Sequence, residues 1–227
     1  MNALPQPITH LERSFIVRRR GMALLAALFP IAFLCSSFVL RRTDFQTSIS
    51  AYYWTQDLER NIFVGVLCAI AVFLLLYKGY TWIEDRVLDL AGLAAAGVAF
   101  FPMDKHGGCG SSGVSLHGAF AVIFFSSIFY ICIFMSETTL KQIQDSGKQA
   151  WFRNAYRWCS GIMVASVALA VASRLLPGDL VQALCERGAV FWFEAVGVWA
   201  FSAFWYIKTR KLDSSVSWVP FRRKRAG

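Results

Sequence analysis

The chain holds 227 residues, 56% of them hydrophobic, with a mean hydropathy of +0.48 and a net charge of +9. Its apolar residues gather into six runs that take about half the length, which leaves no room for a separate soluble domain, so 1–227 reads as one domain. The positive charge sits beside those runs rather than on a folded basic face, which argues against nucleic acid as a partner.

In chain order the runs are 21–40, 61–80, 87–103, 116–135, 159–176 and 189–207. Each is near the roughly 20 apolar residues that a helix needs to cross a bilayer core of about 30 Å. A helix also satisfies its own backbone where lipid cannot. The expected fold is therefore an all-α bundle of six transmembrane helices. With the N-terminus inside, 17 of the 23 Lys and Arg fall on the cytoplasmic side and 6 outside. That split follows the positive-inside rule and puts both termini in the cytoplasm, with a bacterial inner membrane as the expected location. The first run follows Arg18-Arg19-Arg20, but it is long for a signal peptide and no A-x-A site follows, so it is expected to stay in the mature protein.

Along the chain, Pro30 is expected to kink the first span. The loop 41–60 carries Tyr52, Tyr53 and Trp54, ordinary anchors at a membrane interface. A short charged turn, Glu84-Asp85-Arg86, makes spans two and three an antiparallel pair. Span three is rich in small residues, including Ala91-Gly92 and Ala94-Ala95-Ala96-Gly97, and is expected at the centre of the bundle. The aromatic and basic stretch 136–158 reads as a segment lying flat on the membrane. The tail Arg222-Arg223-Lys224-Arg225 suits an anionic inner leaflet, although a plain topology anchor explains it as well.

Polar residues with chemical potential gather on the expected outer side: Ser48, Ser50, Asp57, Asp104, His106, His117, Arg174 and Glu194. Ionisable groups within spans are costly and tend to face the interior in pairs. Arg174 and Glu194 fall at matched depth, about 8 Å below the outer edge at about 1.5 Å per residue. An intramembrane Arg174–Glu194 ion pair is the plain expectation, and membership of a polar site is its alternative. Asp104 and His117 flank one loop, and Ser50 leads into span two on the same side, so the three are expected to meet. His106 and His117 lie eleven positions apart, which is not a zinc-ligand spacing, and neither metal nor cofactor is expected. Hydrogen bonding to lipid headgroups is the plainer role for Ser48, Ser50, His106 and His117. The glycine-serine loop before span four reads as a connector rather than an anion cradle. Cys109 and Cys185 are the two cysteines in expected outer loops, and a disulfide between them is expected in an oxidising compartment. No GxSxG, HExxH or Walker pattern is present.

Four short motifs occur in a familiar order. They are Ser48-Ile49-Ser50, Asn61-Ile62-Phe63-Val64-Gly65, Gly97-Val98-Ala99-Phe100-Phe101-Pro102, and His117-Gly118-Ala119-Phe120 with Phe124-Phe125. The segment 41–135 thereby resembles the Frag/DRAM/Sfk family of six-span membrane proteins and the uncharacterised bacterial membrane proteins grouped near it. Spans five and six match only in number. The resemblance implies a role with lipid, makes Ser48, Ser50 and His117 the positions of interest, and implies no particular reaction. The ceramidase and adiponectin-receptor superfamily is a more distant comparison. Six spans instead of seven and no late H-x-x-x-H pair argue against its zinc hydrolase mechanism.

Three functions are open at this point. The first is an integral membrane protein whose outward Ser/Asp/His site contacts lipid headgroups, with membrane lipids as its partners. The second is an intramembrane lipid hydrolase or transferase using His117 as base or ligand, supported by Asp104 and Ser50. The third is a small transporter that moves a proton or ion by way of Glu194 and Arg174.

Overall fold

The computed structural model describes residues 10–55, 57–79, 81–103, 115–135, 145–173 and 187–216, with Leu180, Ala183 and Leu184. Among the described residues all regular structure is helical, in six main helices: α1 His10–Leu34, α2 Asp57–Leu75, α3 Trp82–Phe100, α4 Leu116–Tyr130, α5 Ser146–Ala172 and α6 Ala189–Val216. Five of them (α1, α2, α4, α5 and α6) are long and apolar enough to cross a membrane. The exception, α3, has 19 residues but carries Glu84, Asp85, Arg86 and Asp89 in its first half.

Each helix packs chiefly on its neighbours in the chain, and α6 closes back onto α1, so the six form a ring. The ring corrects the central place expected for α3. Its small residues serve close approach on two flanks instead: a Cβ on Gly92 would lie 2.8 Å from Leu75 Cγ of α2, and one on Gly97 would lie 2.5 Å from the Phe120 ring of α4. The outer face of α3 keeps Leu90 and Leu93 exposed.

Local chemistry explains where the helices begin. The hydroxyl of Thr81 accepts the Glu84 N–H at 3.1 Å and caps α3, so Glu84-Asp85-Arg86 form a first helical turn rather than a connecting one. Ser115 caps α4 in the same way through the Gly118 N–H. Asp145 caps α5, accepting from Gly147 at 2.9 Å and Lys148 at 3.1 Å. The Lys148 N–H, helped by that of Gly147, holds the Asp145 carboxyl below its ordinary range. Helix α5 thus starts well before 159, and the part of 136–158 that the structure describes continues the helix rather than lying flat. The cause is an apolar stripe at helical spacing, Phe152, Tyr156, Cys159 and Met163, all buried. Tyr156 meets Phe204 of α6 edge-on at 5.4 Å.

Helix α1 runs through Pro30 and slips into a π-helical turn, Cys35–Val39, one turn later. At the end of the ring away from that turn, Lys208 of α6 reaches Glu84 of α3 at 2.7 Å, both side chains buried. The Lys208 ammonium also lies 5.3 Å from the Tyr77 ring and 5.2 Å from the Trp205 ring. Arg19 of α1 donates to the Tyr77 hydroxyl. This clasp ties α1, α3 and α6 to the segment that follows α2.

Candidate functional site

The site is built where the first loop folds down into the other end of the ring. Phe45 packs edge-on against Phe191 of α6 at 4.9 Å, and the Phe191 N–H donates to the Thr47 carbonyl at 2.8 Å. Tyr52 is fully buried, stacks on Phe33 of α1 at 4.5 Å, and shares a 2.6 Å hydrogen bond with Ser37 in the π-helical turn. The Trp54 indole N–H donates to the Met103 carbonyl at 2.8 Å. Held on three sides, the loop turns a short 3₁₀ helix, Ser50–Trp54, into the mouth of the ring.

Two helices, α4 and α6, then converge on Ser50, the first residue of that turn. His117, in the first turn of α4, lies with Nε2 3.0 Å from Ser50 Oγ. Its Nδ1 lies 3.0 Å from the Phe101 carbonyl, just beyond α3. Glu194, in the second turn of α6, accepts the Ile49 N–H at 2.7 Å and the Ser50 N–H at 3.3 Å through Oε2. Its other oxygen lies 3.3 Å from Ser50 Oγ. Ser50 and His117 are both buried, at 7% and 5% exposure, so these contacts hold polar atoms that water does not cover.

The proton inventory of this chain is constrained. A carbonyl only accepts, so Nδ1 of His117 carries a hydrogen and Nε2 faces Ser50. Ser50 has one hydroxyl hydrogen for two neighbours. Both contacts are satisfied together only when one further proton sits on the line Nε2–Oγ–Oε1, on either the imidazole or the carboxyl group. Without that proton Ser50 donates to one neighbour, and the 3.0 Å contact with His117 is the shorter.

Ser50, His117 and Glu194 form one polar end of a cavity of about 400 Å³ inside the ring. Every helix contributes to its mostly apolar wall, among them Phe29 of α1, Phe63 of α2, Val98 of α3, Ala121 of α4, Val167 of α5 and Val198 of α6. Val122 of α4 and Val171 of α5 also line it, yet are 42% and 44% exposed.

The residues singled out in the sequence divide three ways. Ser50, His117 and Glu194 come together. Ser48 sits beside them but is 1% exposed, accepts the Ala51 N–H at 3.1 Å and donates toward Met103 Sδ, which shapes the loop. Asp57 is exposed and pairs with Arg60 at 2.5 Å. Asp104, His106, Cys109, Arg174 and Cys185 lie outside the described residues, and with them the Asp104–His117 meeting, the Arg174–Glu194 pair and the Cys109–Cys185 bond. Among the described residues no group of three His, Cys, Asp or Glu is placed to hold a metal ion.

Sequence reasoning missed the Phe101 carbonyl, because a backbone acceptor leaves no residue-type signal. It also missed Glu59, fully buried on α2, which accepts from the Ser36 hydroxyl. Its place two residues before the run 61–80, beside Asp57 and Arg60, read as an ordinary charged helix start and gave no sign of burial. No protein-family model, no curated protein and no solved structure matches this chain.

Proposed function

We propose that the chain is a six-span membrane protein that takes the acyl part of a lipid into the ring and holds the lipid's polar group at Ser50, His117 and Glu194. The observation that carries this reading is the joining of one polar triad to a mostly apolar cavity walled by all six helices. A pocket of this size with few, convergent polar groups is the ordinary form of a small-ligand site. Entry between α4 and α5, where the lining residues Val122 and Val171 are partly exposed, would offer the cavity to lipid rather than to water. The resemblance of 41–135 to the Frag/DRAM/Sfk family points the same way.

In this reading α3 completes the sixth crossing, its charged first turn lying at the cytoplasmic boundary. The split of 17 basic residues inside against 6 outside supports cytoplasmic termini and a triad near the outer surface of a bacterial inner membrane.

Native mass spectrometry of the purified full chain tests the reading. Wild type should retain a lipid of defined mass. Ala121→Trp, which fills the cavity from α4, should lose it while remaining folded. Equal retention by both proteins would refute interior binding.

A further inference from the structure

We infer that Ser50 is a nucleophile toward the ester carbonyl of a membrane acyl lipid, with His117 as its base. The inference rests on the lipid reading above and names a reaction for the same site. Three observations converge on it. The Ser50 hydroxyl lies 3.0 Å from an imidazole nitrogen, and that imidazole is oriented through its other nitrogen by a backbone carbonyl at 3.0 Å. A nucleophile, a base within hydrogen-bond reach and a third group that orients the base are the arrangement that activates a serine. Both side chains line the apolar cavity, so an acyl chain lying in it brings its ester end to Ser50. Finally, Glu194 holds the Ile49 and Ser50 N–H groups, which fixes the backbone that carries the hydroxyl.

The reaction balances with water as co-reactant. Ser50 Oγ bonds to the ester carbonyl carbon while its proton passes to His117 Nε2, and Nδ1–H stays on the Phe101 carbonyl. The bond from that carbon to the alkoxy oxygen then breaks, and the imidazolium returns its proton to the leaving alcohol. The acyl group is left as an ester on Ser50. A water molecule next gives a proton to Nε2 and bonds to the acyl carbon. Ser50 Oγ leaves and recovers its proton from His117. One ester and one water become one carboxylic acid and one alcohol, with no change in oxidation state.

In this scheme Ser50 and His117 are catalytic residues and Glu194 is a positioning residue. The test uses the full chain in vesicles of phosphatidylethanolamine and phosphatidylglycerol, exposed to an alkyl fluorophosphonate. Peptide mass spectrometry should find the adduct on Ser50, and in vesicles without the fluorophosphonate free fatty acid should appear with an equal amount of lysolipid. H117Q should slow both by about a hundredfold or more, the ordinary share of a general base. E194A, which releases the two N–H groups, should slow labelling at Ser50, and E194Q, which keeps an oxygen for them, should recover part of that loss. If S50A fails to fold, the wild-type adduct mass and H117Q carry the test. A wild-type protein that retains lipid but neither labels at Ser50 nor releases fatty acid overturns the nucleophile and leaves lipid binding standing. A protein that retains no lipid overturns both. Acyl transfer to a second lipid without free acid overturns water as the acceptor.

Discussion

Breaking the Lys208–Glu84 clasp should expose how much of the ring's stability rests on one buried ion pair. The two charges are 2.7 Å apart, and the residues are 4% and 2% exposed. At an effective dielectric constant near 20, charges at that separation attract by about 6 kcal/mol. Removal from water cancels much of this, so the net worth of such a pair is small beside the damage done by leaving one partner alone. Glu84→Ala should therefore cost about 3–5 kcal/mol, with Lys208 left among the Tyr77 and Trp205 rings. Lys208→Met should cost less than Glu84→Ala, because the methionine fills the aromatic slot that the lysine methylenes occupied. The double variant E84Q/K208M should lie within about 1–2 kcal/mol of wild type, since neither charge is then stranded. Reversible unfolding in mixed detergent and dodecyl sulfate micelles measures all three. With E84Q as the fourth corner of the cycle, E84Q and K208M losses that add to the double variant's within about 0.5 kcal/mol would show that the side chains do not interact, and would refute the reasoning.

Three further outcomes are expected. Gly97→Ala drives a Cβ to 2.5 Å from the Phe120 ring, itself stacked on Phe101, and should cost about 1–3 kcal/mol in the same unfolding assay, with F120A recovering part of the loss. The Asp145 cap should respond to pH. Its carboxyl is held below the unfolded value by the Lys148 and Gly147 N–H groups, so its contribution is present above the unfolded pKa and is lost as pH falls through the lower folded one. Amide exchange at Gly147 and Lys148 should therefore lose protection in acid in wild type, and should be fast at every pH in D145A. A reporter fused after Gly227 should be active only in its cytoplasmic form, and activity in a periplasmic form would reject the topology.

The helices were legible because hydrophobicity in lipid is a one-dimensional signal: a run near twenty apolar residues has few other uses. Helix starts were less so, and the reason differs from case to case. Thr81 with Glu84 was written in the sequence as a capping pattern, yet the three charged residues after it suggested a turn. The stripe Phe152, Tyr156, Cys159 and Met163 was diluted by Lys148, Arg153 and Arg157, which hid the first half of α5 among basic residues. Alternation of small residues told that α3 packs closely but not against what, since a ring and a central helix use the same Gly and Ala. At the site, Ser50, His117 and Glu194 were each visible as polar residues on the expected outer side. Their partnership was not, because it depends on the Phe45, Thr47 and Tyr52 contacts that fold the first loop inward. Depth alone paired Glu194 with Arg174. In the structure the Ile49 and Ser50 N–H groups are among its partners.

The central claim is that lipid enters the ring, and photocrosslinking tests it most directly. A phosphatidylethanolamine with a diazirine near the end of one acyl chain is reconstituted with the full chain and irradiated. Adduct positions are then read from peptides. Interior binding predicts adducts on Val98, Ala121 and Val198, which line the cavity, and their loss in A121W. Adducts confined to outward residues such as Leu24, Leu93 and Leu169, and unchanged in A121W, would contradict it.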